Sequence, residues 1–265
     1  GNSSWVGPME FTTLPDTAEG ITCGTGVASV LFSEDFENNS AGWTGSINSG
    51  NSSWEIPDGA TSTNTGANAG FGGGNFMNYE ASSTSNNNGS IVSPAIDLSG
   101  AVSDAELSFY MHAYGASMGT LNVGVGTSAS GPFTNEFTWT GPLQTSGSDP
   151  WVNVGIDLSA YLGSTIYLQF TQYDTLNSLG SGFDGDMSID ELSVSACVSC
   201  PAPSAFTADT VGIDIAELSW TENGTATTWL IEYGASGFSP GSGTEVSISS
   251  NPYSLTGLTE NTAYD

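Results

Sequence analysis

Lysine and arginine are absent from this 265-residue chain, and His112 is its one histidine. Against them stand 28 Asp and Glu residues, for a formal net charge of −28. Without basic side chains nothing can neutralise phosphates, which argues against nucleic-acid binding. There is no lysine for a phosphate loop or a Schiff base, and no arginine to clamp an anionic substrate. A side-chain salt bridge can form only through His112. Long apolar runs are also missing, since none approaches the ~18 residues of a membrane span. The polar start Gly1-Asn2-Ser3-Ser4 does not read as a signal peptide, so the sequence reads as an internal or mature piece. Cysteine is scarce. Its count of three is odd and predicts a partner outside this stretch.

What is present is not the composition of a disordered acidic tail. Hydrophobic residues make up 37%, aromatics 11%, and the seven Trp are dispersed. At ~150 residues per domain, the length predicts one large domain or two modest ones. Self-repulsion among the carboxylates opposes compaction and is screened by salt. Divalent cations would relieve it directly. Salty extracellular water and bound cations are therefore both readings of this charge.

Helical periodicity is nearly absent. Short alternating apolar runs lie between clusters of Gly, Asn, Ser and Pro, which predicts an all-β sandwich. Strands are expected over residues 27–36, 76–81, 107–113, 120–126, 151–156, 165–173 and 187–194. Residues 59–74 read as a long loop and 145–150 as a turn. Ile96-Asp97-Leu98-Ser99 and Ile156-Asp157-Leu158-Ser159 echo each other as two similar corners. A boundary falls at Cys197-Val198-Ser199-Cys200-Pro201-Ala202-Pro203, where two prolines stop strand pairing. Beyond it, Ala216-Glu217-Leu218-Ser219-Trp220, Thr228-Trp229-Leu230-Ile231-Glu232-Tyr233 and Tyr253-Ser254-Leu255 have the strand spacing of a small sandwich.

Leu31-Phe32-Ser33-Glu34-Asp35-Phe36-Glu37, Gly42-Trp43-Thr44, the run from Leu107 to Gly115, Met118-Gly119-Thr120-Leu121-Asn122-Val123 and Gly185-Asp186-Met187-Ser188-Ile189-Asp190-Glu191-Leu192 together resemble the MAM domain. The resemblance covers roughly residues 23–197 and implies a jelly-roll β-sandwich used for adhesion rather than catalysis. The cysteine pattern of the animal versions is missing. Residues 200–265 resemble the first part of a fibronectin type III domain, an incomplete immunoglobulin-like sandwich. Ser4-Trp5-Val6-Gly7-Pro8-Met9-Glu10-Phe11-Thr12-Thr13 resembles the last strand of one. The expected organisation is 1–20, a terminal type III strand; 21–198, a MAM-like jelly roll; and 199–265, the start of a type III domain. This pairing resembles giant surface proteins exported by the type IX secretion system of marine Bacteroidetes.

The termini of a sandwich often lie close together, so a Cys23–Cys197 disulfide is expected, with Cys23–Cys200 as the alternative. In the first case Cys200 pairs with a cysteine of the missing type III strand. A single Cys-x-x-Cys with one distant histidine disfavours zinc.

Calcium is the best cofactor candidate. Glu34, Asp35 and Glu37 end the first strand, and Asp184, Asp186 and Asp190 flank the last, strands that lie close in a jelly roll. The resemblance implies a cation there, held by Asp35, Glu37 and Asp190, with Asp186 as a further candidate. The competing reading is ordinary solvated carboxylates. Tyr110, His112 and Tyr114 share one strand face and, with Trp43, Trp54 and Trp139, are candidates for a sugar-binding aromatic surface. The competing reading places these rings in the core and His112 as a packed strand residue. No nucleophile elbow accompanies His112, so catalysis is not expected. Ala69-Gly70-Phe71-Gly72-Gly73-Gly74 is not a phosphate loop, because no helix follows and no lysine exists.

The expected function is a non-catalytic repeat unit of an extracellular adhesin or fibre. Its expected partners are neighbouring repeats of the same polypeptide, further copies in a fibre, or a glycan or other cell-surface ligand. The alternative is an accessory region of a secreted hydrolase or protease.

Overall fold

A computed structural model describes residues 15, 17–24, 26–48, 52–57, 61, 64–81, 88–173, 184–199, 202–224 and 226–265. Two compact units divide the chain, Gly1–Val198 and Ser199–Asp265. The segment from Ser4 to Thr13, expected as a type III strand, and Cys200 lie outside the described residues.

The first unit is a jelly-roll β-sandwich of two six-stranded antiparallel sheets. The first sheet contains β1 (Val27–Glu34), β3 (Ser53–Glu55), β4 (Met77–Glu80), β7 (Ala101–Ala113), β10 (Val152–Asp157) and β12 (Met187–Val198). The second contains β2 (Thr44–Gly45), β5 (Asn88–Val92), β6 (Ile96–Asp97), β8 (Thr120–Gly126), β9 (Thr134–Thr140) and β11 (Thr165–Tyr173). The order is β10-β7-β12-β4-β3 in one sheet and β2-β5-β11-β8-β9 in the other. Strand β12 organises the first sheet. It pairs with β7 along one edge, while β1 and β4 share its other edge end to end.

Alternation sets the faces. Leu107, Phe109 and Met111 of β7 point into the core, as do Leu121, Val123 and Val125 of β8 and Ile166, Leu168 and Phe170 of β11. Phe109 meets Phe170 edge-on at 5.4 Å between ring centres, a favoured aromatic geometry. The two echoing corners behave alike. The Asp97 carboxylate accepts the Ser99 N–H at 2.9 Å, and the Asp157 carboxylate accepts the Ser159 N–H at 2.8 Å.

Strands β7 and β12 extend beyond the expected spans, β7 by six residues at its start and β12 by four at its end. Strands β2, β3, β5, β6 and β9 were not anticipated. Each is short or begins among Ser, Thr and Asn, so its apolar alternation is weak.

The second unit holds β13 (Ser204–Val211), β14 (Ile215–Thr221), β15 (Trp229–Tyr233), β16 (Thr244–Ile248) and β17 (Tyr253–Thr256). A β13-β14-β17 sheet accompanies a β15-β16 pair. Its core gathers Ala216, Leu218, Trp220, Ile248 and Leu255. Backbone hydrogen bonds between Gly234 and Asp265, both 3.1 Å, lay the last residues antiparallel to the end of β15.

Cys23 and Cys197 form a disulfide with Cα atoms 5.5 Å apart, closing 174 residues of sequence. It ties the segment before β1 to the end of β12. Replacing both by alanine is expected to cost about 2–4 kcal/mol, because the unfolded chain regains the freedom of that long loop. Urea denaturation of the oxidised parent and the double variant, monitored by tryptophan fluorescence, measures this difference.

Candidate cation site and the covered face

Pairing of β1 with β12 sets Glu34 opposite Leu192, so the turn after β1 runs alongside Asp190 and Glu191. Phe36 takes a left-handed backbone (φ 55°) and buries its ring in the core, while Asp35 and Glu37 on either side stay exposed. In β12 the register shifts between Asp190 and Ser193, and Glu191 is also left-handed (φ 49°). This irregularity accompanies the burial of the Asp190 carboxylate beneath the glycine-rich loop. Asp190 Oδ2 accepts the Phe71 N–H at 2.8 Å, and its Oδ1 accepts the Glu191 N–H at 2.8 Å. Glu37 Oε1 accepts the Asn75 N–H at 2.8 Å.

The loop brings further oxygens to the same place. A Cβ added at Gly70 would lie 2.8 Å from the Asn75 carbonyl oxygen, 2.9 Å from Asp190 Oδ2 and 2.9 Å from the Gly74 carbonyl oxygen. One added at Gly74, where φ is +105°, would lie 2.0 Å from Glu37 Oε1. Glycine is needed at both positions so that carboxylates and carbonyls can crowd together. Burial pushes the Asp190 carboxyl up to about 7, and the Glu191 and Glu37 charges add to the shift. The Phe71 and Glu191 N–H groups oppose it only in part. A buried carboxylate beside other acids and carbonyl oxygens suits a hard divalent cation. Glu37, Asp190 and the Gly74 and Asn75 carbonyls are the groups that would hold it. Among the described residues, no three His, Cys, Asp or Glu side chains gather to hold a metal. The carbonyls are thus essential to this donor set.

Two of the expected ligands make other contacts. Asp35 accepts the Glu37 N–H at 3.1 Å and lines a shallow cleft with Glu34, Asn38, Asn39 and Glu191. Asp186 is four residues from Asp190, roughly 13 Å along an extended chain. It accepts the Ala81 N–H at 2.9 Å and its own N–H donates to Thr65 Oγ1 at 3.0 Å. Asp184 gives its carbonyl to the Ser117 N–H at 3.1 Å. The carbonyl donors were missed because any residue supplies a carbonyl. The available signal was the glycine run from Gly70 to Gly74.

The proposed aromatic surface is not an open face. His112 is fully buried, Tyr110 and Tyr114 are half-buried, and Phe71 stacks on Tyr110 with ring centres 3.6 Å apart. The covering segment is pinned by the Gly66 N–H on the Tyr114 carbonyl (2.7 Å), the Asn68 N–H on the Gly147 carbonyl (2.9 Å) and the Phe71 N–H on Asp190. Trp43, Trp54 and Trp139 belong to the core between the sheets. Beneath the covering segment, His112, Ser188 and Asn78 form one cross-strand row. Ser188 Oγ donates to Asn78 Oδ1 at 2.8 Å. The His112 ring packs 5.4 Å from Trp151, and among the described residues neither ring nitrogen has a hydrogen-bond partner of good geometry.

Two packed antiparallel sheets define a jelly-roll β-sandwich, and the chain belongs to the MAM domain family (meprin/A5/mu), whose family model matches residues 35–200. Among curated proteins no relative matches. Among solved structures, the chain is similar to the K1 cleaved adhesin domain of Lys-gingipain from Porphyromonas gingivalis, at 18% identity and a TM-score of 0.45 over 64% of this chain and 98% of that one. It is similar to the CBM22-1 xylan-binding domain of Xyn10C from Paenibacillus barcinonensis, at 16% identity and 0.39 over 67% and 99%. It is also similar to TmCBM61 in complex with β-1,4-galactotriose, at 14% identity and 0.40 over 60% and 92%.

Burial lowers the His112 pKa to about 4, against smaller upward pulls from the Asp149 charge and the Ser146 backbone. The unfolded chain, titrating near 6.5, takes up the proton first as pH falls. His112 therefore costs no stability above about 6.5, and its penalty grows down to about 4. The expected loss is on the order of 3 kcal/mol. Urea midpoints at pH 7.5 and pH 4.5 should converge more for His112→Phe than for the parent, and equal pH slopes would refute the assignment.

Proposed function

We propose that this chain is a non-catalytic adhesion module of a large secreted surface protein, with calcium closing the β1–β12 corner. The observation that carries this reading is the convergence of Asp190 and the Gly74 and Asn75 carbonyls where a Cβ at Gly70 would otherwise sit, with Glu37 against Gly74 and bonded to the Asn75 N–H. Bound calcium would supply the positive charge that the chain's own side chains lack. The residues themselves hold the loop of 70–75 against β12 through the Phe71 N–H bond to Asp190, and against the turn after β1 through the Asn75 N–H bond to Glu37. Membership in the MAM family and a disulfide, which persists in oxidising compartments, support the extracellular adhesion reading. The burial of the one histidine argues against acid–base catalysis through it. Among the described residues, no helix is long and apolar enough to cross a membrane.

We further read the second unit as the start of a fibronectin type III domain, making the chain one period of a modular array. The Tyr264 hydroxyl accepts the Thr259 N–H at 3.0 Å, the backward bond of a tyrosine corner in an immunoglobulin-like sandwich. Among the described residues, strand β15 pairs only with β16 over its own length. The type IX export route and a fibre of such modules belong to this proposal.

Calcium alone tests the central claim. At a free concentration 100 times its Kd, calcium is expected to stabilise the folded chain by about 2.7 kcal/mol. Calorimetric melts in calcium and in chelator read the shift, and Glu37→Gln with Asp190→Asn should abolish it. Equal melting temperatures in both solutions, or a full shift in the double variant, would sink the assignment. A second variant, Gly70→Ala, should lose most of the shift because its methyl group meets three of the four donor residues' oxygens.

A further inference from the structure

We propose that the outer face of the second sheet binds a neutral polysaccharide chain. This names the ligand class of the adhesion module above and rests on that reading, though not on calcium. The face comprises alternate residues of β5, β11, β8 and β9. Register aligns them in rows: Asn88, Tyr173, Thr120 and Thr140, then Ser90, Thr171, Asn122 and Thr138. Gln169 follows one step along, opposite Gly124, and Tyr167 lies opposite Gly126. The inward alternates, such as Leu168, Phe170, Leu121 and Val123, are fully buried, so the polar rows point away from the core.

Three properties of this face select a saccharide. First, it is polar and pre-ordered. Ser90 and Thr171 hydroxyls lie 2.8 Å apart, as do those of Thr120 and Thr140, and Thr138 Oγ1 donates to Asn122 Oδ1 at 2.8 Å. Thr171 is buried and braces Ser90. Ser90, Thr120, Thr138 and Thr140 are half-buried or exposed and keep donor or acceptor capacity for a ligand, and fixing them beforehand lowers the ordering cost of binding. Second, aromatic rings stand at both ends. Tyr173 is 42% exposed. Tyr167 lies about 20 Å away along β11, six residues at ~3.3 Å each. Beside it the Phe133 ring folds over the space left by Gly124 and Gly126. Such rings accept the apolar faces of sugar units while the rows between them take hydroxyls. Third, the four strands carry one carboxylate, Glu136, and it accepts the hydroxyl of Tyr161 at the bulged edge of β9. Every strand of the other sheet carries at least one.

Charge narrows the class. A chain of net charge −28 repels uronate or sulfated polymers, and it has no lysine or arginine to hold them. An uncharged strip on such a molecule fits an uncharged polymer. Protein partners are disfavoured because the buried centre of a protein interface is apolar and aromatic, not a field of hydroxyls and amides.

Affinity electrophoresis of the whole chain tests this, with β-1,4-xylan, β-1,4-galactan, β-1,4-mannan and hydroxyethylcellulose in the gel, and polygalacturonate as the anionic comparison. Retardation by at least one neutral polymer and none by polygalacturonate is expected. Tyr167→Ala with Tyr173→Ala should weaken it about tenfold or more, about 1.4 kcal/mol. Tyr110→Ala should leave it unchanged. Circular dichroism and the calcium-linked melting shift, read on the same samples, establish that each variant folds. Retention of the calcium shift without retardation by any neutral polymer overturns this inference and leaves the calcium reading standing. Retardation that survives the double substitution, or that is lost in Tyr110→Ala, also overturns it.

Discussion

Every carboxylate in this protein has to be held without a cationic side chain, and that constraint shapes the structure. The solution is to enclose the acids with N–H and O–H donors. Glu34 accepts the Phe36 N–H and the Trp43 indole N–H, both at 2.9 Å, and so fixes the turn after β1. Asp149 accepts the Thr145 and Ser146 N–H groups and both their hydroxyls. Its pKa falls to about 2 as a result, with the side-chain hydroxyl bonds contributing most. In the second unit Glu222 takes the Trp229 indole and the Gly224 N–H, while Glu232 takes the Gly241 and Gly243 N–H groups. Hydrogen bonds to charged acceptors are stronger than neutral ones, so tight turns become local charge sinks. The frequent Gly, Ser and Thr near these acids supply the donors and the sharp turns that aim them.

Asp190 is where this solution falls short. Two N–H bonds do not offset its burial, and its pKa rises when those of Asp149 and Glu232 fall. The difference lies in surroundings. Asp149 and Glu232 remain near solvent, whereas Asp190 is almost fully buried beside Glu191 and Glu37. A site with this imbalance gains from an external positive charge, and the nearby carbonyls give such a charge neutral oxygen partners.

The sheet class and the positions of β8 and β11 were legible because their inward apolar residues alternate, and β1 was legible as a short apolar run. The edges were less so. Strand β9 reads as Thr134-Asn135-Glu136-Phe137-Thr138-Trp139-Thr140, and only Phe137 and Trp139 signal an inner face. Pairing with β8, not its own composition, makes it a strand. Of the candidate site, Glu37 and Asp190 were legible from their places on the first and last strands. Asp186, just before β12, takes the Ala81 N–H. Tyr110 and His112 share one face of β7, and Tyr114 falls just past its end. Alternation distinguishes the two faces of a strand but not what lies over each. The cover comes from Phe71 and its neighbours, in a segment whose glycines and asparagines look like an open loop.

That segment links the two halves of the functional argument. Phe71 gives its N–H to Asp190 and its ring to Tyr110. The same residue thus caps the candidate cation site and covers Tyr110 on the outer face of the first sheet. Asn75 gives its N–H to Glu37, and Phe76 follows directly, packing edge-on against Trp151 at 5.7 Å. Trp151 in turn contacts His112. One short run therefore anchors acids, aromatic stacking and the buried polar row together. Its hold on the first sheet leaves the hydroxyl rows of the second as the broad neutral surface. The proposed cation site and the proposed ligand face then fall on opposite sheets, with the shared core between them.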